Sequence, residues 1–153
     1  MEHIVVEWAG DGYWLDPRPF LDALPVLRDR LPIGARRFVD APKHYDFSSD
    51  ECVKDLWFES LTVNDADSVA TVSFQPNTFK HPVGLTITYS GIRELVISRP
   101  EEPGVGWLGS VLLDELLPTS GGGVSHELAL TGGTLRIEAA DLHATWRANA
   151  ADA

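Results

Sequence analysis

The chain is short of several things, and each shortage closes off a class of protein. It has one cysteine, Cys52, in 153 residues, so neither an intramolecular disulfide nor a thiolate zinc cage can be assembled from it. A reducing compartment, the cytoplasm, is the expected location. Positive charge is scarce: twelve Lys and Arg stand against 23 Asp and Glu, for a net charge of −11. A chain so charged repels phosphate, which argues against ordinary binding to nucleic acid or to anionic lipid. The field is most negative in residues 101–153, where two basic residues face eight acidic ones. Long apolar runs are also missing. The best candidate, Val111 to Leu117, is interrupted by Asp114 and Glu115, far short of the roughly 18 residues a membrane helix needs. The first residues, Met-Glu-His-Ile-Val-Val-Glu-Trp, are acidic rather than basic before their apolar run, so no secretion signal is expected.

Recognised chemical motifs are scarce too. Five histidines, at 3, 44, 81, 126 and 143, fall in no metal-ligand spacing such as His-Glu-x-x-His. A cluster of His126-Glu127 with Asp141-x-His143 and Asp114 or Glu115 is geometrically conceivable, but isolated histidines near strand ends more often serve as surface or hydrogen-bonded groups. Cys52 follows Asp50 and Glu51, which raise a thiol pKa and make it a poor nucleophile. Ser125-His126 lacks the Gly-x-Ser-x-Gly frame of a nucleophile elbow. Gly121-Gly122-Gly123 lacks the Lys-Ser/Thr of a phosphate loop. The pairs Glu101-Glu102 and Asp114-Glu115 would point to opposite faces of a strand and could not share one substrate. No catalytic residue, metal or cofactor is therefore expected.

What the chain does contain is β-pattern. Ile4 to Trp8 is an opening strand stopped by Gly10-Asp11-Gly12. A helix follows, with Asp16 as N-cap, Pro17 at its first position and Phe20, Leu24, Leu27 and Leu31 on the core face. Pro25 kinks it or divides it in two, and Pro32 ends it. Ile33 to Val39 reads as a short extended piece. Residues 53–63 fit a helical face or a strand; the Asn64-Asp65-Ala66-Asp67 turn and the clear strand Val69 to Phe74 favour a hairpin. Val83 to Tyr89 alternates, Ser90-Gly91 punctuates, and Ile92 to Ile97 supplies another strand. Residues 100–106 read as an exposed connection, and 107–117 as a strand in preference to a helix. The strongest local signal is Glu127 to Glu138, two alternating runs about Gly132-Gly133; counting outward sets Leu130 against Leu135 and Leu128 against Ile137. Asp141 to Arg147 adds a last short strand, and 148–153 is a frayed tail. The expected fold is α+β, mainly β: an antiparallel sheet or flattened sandwich with an N-terminal helix packed on it, in one domain spanning 1–153.

Two stretches carry a resemblance. Glu51-Cys-Val-Lys-Asp-Leu-Trp-Phe-Glu-Ser-Leu with Leu85-Thr-Ile-Thr-Tyr-Ser-Gly-Ile, and Val111-Leu-Leu-Asp-Glu-Leu with Ser125-His-Glu-Leu-Ala-Leu-Thr-Gly-Gly-Thr-Leu-Arg-Ile-Glu, resemble small β-rich bacterial immunity proteins of polymorphic toxin systems and their uncharacterised relatives. The resemblance spans residues 50–147 and transfers no functional residue. It implies a non-enzymatic protein that binds and blocks a cognate toxin. Independently, an anionic chain with five tryptophans suits a protein that covers a basic partner. Most of these tryptophans are expected in the core, but Trp14 and Trp107 lie beside glycine-rich turns. These two, with Glu101, Glu102, Asp114 and Glu115, are the expected partner-binding residues. A small-molecule-binding or structural accessory domain is the alternative.

Overall fold

The computed structural model describes residues 1–100 and 107–147. It is α+β and mainly β: a two-stranded hairpin, two helices and one six-stranded antiparallel sheet. The predicted connection at 101–106 and tail at 148–153 lie outside the described residues.

The chain opens with β1 (Val5–Trp8) and β2 (Tyr13–Asp16), joined across the glycine turn with Trp8 opposite Tyr13 and Glu7 opposite Trp14. The second strand of this hairpin was not legible in the sequence. Helix α1 (Arg18–Leu27) follows where expected and runs through Pro25 before tightening into a 3₁₀ turn over Arg28–Arg30. The N-cap is Pro17 rather than Asp16, and the helix starts at Arg18; Asp16, one residue further out, accepts the Arg18 N–H at 3.0 Å. Phe20 and Leu31 are buried, with Leu24 and Leu27 packed partly against the core.

Residues Ile33–Val39 are helix α2, not the extended piece expected. Pro32 starts a helix here as well as ending the previous one, as proline can when its missing N–H falls in a first turn. The cap comes from 107 residues away: Asp141 accepts Gly34 N–H and Ala35 N–H, both at 3.0 Å. Ala35, Phe38 and Val39 are buried, the i, i+3, i+4 face of a helix laid on the sheet. A side chain at Gly34 would collide with the Leu142 carbonyl, so glycine allows this close approach.

The sheet comprises β3 (Trp57–Asn64), β4 (Val69–Gln75), β5 (Gly84–Ser98), β6 (Val111–Pro118), β7 (Val124–Leu130) and β8 (Gly133–Arg147), in the spatial order β3-β4-β5-β8-β7-β6. The hairpin of 53–63 with 69–75 forms, although its first strand begins only at Trp57. The edge strands meet at one end. Trp57 bridges Ser110, and Val111 N–H donates to Leu56 O at 2.8 Å. The sheet is thereby curled toward closure, which shortens its exposed edges.

Three local readings are corrected. Ser90-Gly91 does not end a strand: Gly91 takes φ 64° and a bulge lies between Ile92 and Glu94, so β5 continues through a bend. Likewise β8 is one strand of 15 residues rather than two. The β7–β8 register is displaced by two residues, with Leu128 opposite Leu135 and Glu127 opposite Arg136, because the turn is Thr131-Gly132. The displacement is even, so every side chain keeps its predicted face. A Cβ on Gly132 would lie 2.6 Å from the Trp107 carbonyl, and one on Gly133 would strike the Ser98 carbonyl. The two glycines thus answer neighbouring backbone as well as the turn.

Candidate functional site

Asp114 and Leu116 of β6 share one face with His126 and Leu128 of β7, by their register. The residues from Phe38 to Tyr45 cover this face, with the Phe38 ring 5.9 Å from that of His126. Here four side chains from four parts of the chain join. Tyr89 Oη lies 2.7 Å from His126 Nδ1, and His126 Nε2 lies 2.9 Å from Asp114 Oδ2. On the other carboxylate oxygen, His44 Nε2 sits at 2.8 Å, while His44 Nδ1 faces the Phe38 carbonyl at 2.9 Å. Tyr45 adds its hydroxyl to the Asp114 backbone carbonyl.

The proton inventory follows from the partners. A carbonyl can only accept, so His44 Nδ1 carries hydrogen, and its other nitrogen donates to an ionised carboxylate. Burial keeps the Tyr89 phenol protonated, its pKa raised well above the usual value with the Asp114 charge adding to the effect, so the phenol donates to His126 Nδ1 and His126 Nε2–H donates to Asp114. Burial alone would raise the Asp114 carboxyl; the charge of His44 and the hydrogen bonds from His126 and His44 outweigh it and hold the group below the usual carboxylate range. His44, Asp114 and His126 are each at most 1 % exposed. The arrangement of hydroxyl, imidazole and carboxylate invites comparison with a hydrolase triad, but its hydroxyl is a buried phenol and every member is sealed from solvent. What this network does is fasten the 38–45 segment to the sheet.

Glu115 points to the opposite face of β6. Its carboxylate accepts the N–H groups of Glu2, His3 and Ile4 at 2.7, 2.7 and 2.8 Å, tying down the strand that leads into the hairpin. Asp114 and Glu115, expected at a partner surface, are thus both interior. Segments from the first 45 residues cover β6 on both sides. Glu101 and Glu102 lie outside the described residues. Of the conceivable cluster of His126-Glu127, Asp141-x-His143 and Asp114 or Glu115, only the His126–Asp114 pair assembles: Glu127 pairs with the Met1 amino group, Asp141 caps α2, and His143 is exposed.

The remaining nitrogen chemistry is also structural. His81 Nδ1 accepts Asn77 N–H and Nε2 donates to Cys52 O at 2.7 Å, with the ring stacked on Trp146. Its pKa is lowered by burial, more than the Cys52 carbonyl raises it. Cys52 is fully buried and its thiol is pushed up chiefly by that burial, a stronger cause of inertness than the flanking acids.

The surface carries what the interior does not. Trp8, Trp14, Trp57 and Trp107 are 64, 56, 46 and 50 % exposed, which corrects the expectation that most tryptophans are core. Trp107 rests under the Arg99 guanidinium at 5.5 Å and beside Phe58. Phe79 is 98 % exposed, yet its turn is firmly wired: Asn77 Oδ1 accepts Phe79 N–H, Asn77 O accepts the N–H of Lys80 and His81, and Lys80 Nζ reaches Phe47 O and Asp55. Trp8 and Phe79 carried no sequence signal, because exposure of an aromatic depends on what packs beside it. A cleft of about 410 Å³ opens beside Tyr13, lined by Ile4, Val6, Leu112, Ala129 and Thr134. Among the described residues, no helix is long and apolar enough to cross a membrane. No known family model, curated protein or solved structure matches this chain.

Proposed function

We propose that the protein is a non-enzymatic binding module that neutralises a basic protein partner, of the kind immunity proteins form with toxins, in a bacterial cytoplasm. The observation that carries this reading is the placement of four tryptophans at 46 to 64 % exposure on a chain of net charge −11. Exposed large aromatics are costly to leave in water, and they are the residues that dominate binding energy when buried in a partner. Anionic charge around them steers a cationic partner and raises the rate of encounter. The polar groups with the most distinctive chemistry are committed to holding the fold, which leaves binding to the surface.

The test is co-purification of the tagged protein with the product of the gene beside its own. A basic protein retained at 50 mM salt, with weaker retention at 500 mM, supports the reading; clean failure to retain any neighbour overturns it. The cleft beside Tyr13 favours a second reading, small-molecule binding, for which a ligand-induced rise in melting temperature in a metabolite screen is the corresponding observation.

A further inference from the structure

We infer that the β1–β2 hairpin is the docking element and that its occupant is a Lys- or Arg-bearing projection of a partner protein. This inference rests on the reading given under Proposed function.

Charge distribution comes first. Residues 1–17 contain Glu2, Glu7, Asp11 and Asp16 and no Lys or Arg. The Met1 ammonium is paired with Glu127 at 2.9 Å, and the first basic side chain of Lys or Arg type, Arg18, is folded back on Asp16, with Nε and Nη2 each 2.8 Å from a carboxylate oxygen. Asp16 is therefore satisfied internally, and Glu7 and Asp11, both exposed, remain to attract an external cation.

Aromatic placement comes second. Trp14 stands directly across the hairpin from Glu7, so one face presents an indole beside a carboxylate. On the other face Trp8 meets Tyr13 edge to face, with centroids 5.1 Å apart. Trp8, Trp14 and Tyr13 are 64, 56 and 40 % exposed. An indole face attracts a guanidinium or ammonium through its quadrupole, and a neighbouring carboxylate completes the charge pairing. The molecule already uses this contact internally, where Arg99 covers Trp107. Among the described residues, no cation covers Trp8 or Trp14.

Rigidity comes third. An isolated two-stranded hairpin is marginal in water, but this one is anchored at its root. Glu115 gathers the three N–H groups before β1, Ile4 is buried, and Val6 and Leu15 pack against the core. The aromatic rings are held ready, so little conformational entropy is lost when they are covered.

The probe is a nona-arginine peptide, titrated into ¹⁵N-labelled protein at 20 mM and 150 mM salt, with the indole N–H resonances as readout. The expected result is that the Trp8 and Trp14 resonances move and the others do not. The double variant Glu7→Gln, Trp14→Ala binds at least tenfold more weakly, whereas Asp22→Asn, an exposed charge change on α1, alters affinity less than twofold. The milder pair Glu7→Gln, Asp11→Asn, which leaves every packed side chain in place, loses at least threefold. If the peptide binds but moves other indoles, or both hairpin variants bind as tightly as the parent, the hairpin assignment is overturned and the wider reading stands. If the parent protein does not bind the peptide at either salt concentration, capture of a basic partner fails with it.

Discussion

Asp114 is the residue on which most of the interior polar chemistry turns. It takes hydrogen bonds from His44 and His126 within a fully buried site, so removing it leaves buried imidazole donors with no acceptor. Asp114→Ala is expected to cost about 3–5 kcal/mol in urea unfolding, and Tyr89→Phe about 1–3 kcal/mol, because only one buried acceptor, His126 Nδ1, is left unpaired. Equal effects of the two substitutions would contradict the central place given to the carboxylate. The pH dependence follows from shifts with known sign. His81 binds its proton more weakly folded than unfolded, so at this site the unfolded chain gains its proton first as pH falls, and the contribution of His81 to stability declines below about pH 6.5. Asp114, held below the usual carboxylate range, adds a further loss below about pH 4. The melting-temperature advantage of the parent over His81→Gln should shrink from pH 7.5 to 5.5, and the parent should lose melting temperature toward pH 3; an advantage that grows over the first interval would contradict this account. The histidines were visible in the sequence, but which of them meets a carboxylate was not. His44 and Asp114 are 70 positions apart, and no local pattern encodes a contact at that range.

At the level of elements, the docking of α2 on β8 depends on one carboxylate and one glycine. Asp141→Ala removes two backbone hydrogen bonds from the first turn of α2 and should cost about 1–2 kcal/mol, read as a lower urea midpoint with an unchanged slope. An unchanged midpoint would show that packing of Ala35, Phe38 and Val39 alone holds the helix. This element was misread from sequence because Pro32 looked like a stop and no capping residue stands beside it; the cap arrives from another strand. The strands were far more legible, since alternation is a local property of the chain. Strand lengths were less so. β5 and β8 each pass through what looked like an end, because Gly91 at φ 64° bends the strand without breaking its pairing.

For the whole molecule, the division is between an interior that holds polar groups for stability and an exterior that presents aromatics in an anionic field. Changing Phe79 to Ser should therefore leave the melting temperature of the unbound protein within about 2 °C, since a 98 % exposed ring contributes little to folding. A large loss of melting temperature would show instead that Phe79 packs in solution. The sequence by itself determined the mainly β character, the glycine turns near residues 10–12 and 131–133, and the sign and size of the charge, all of which depend on residues near one another or on composition alone. Only the tertiary structure decided which carboxylates are wet. Asp114 and Glu115 alternate across β6 as any strand requires, yet both are interior, because residues 1–45 lie over the two faces of a strand more than 60 positions further along the chain. What covers a face is set by distant segments, and burial cannot be read from the strand that is covered.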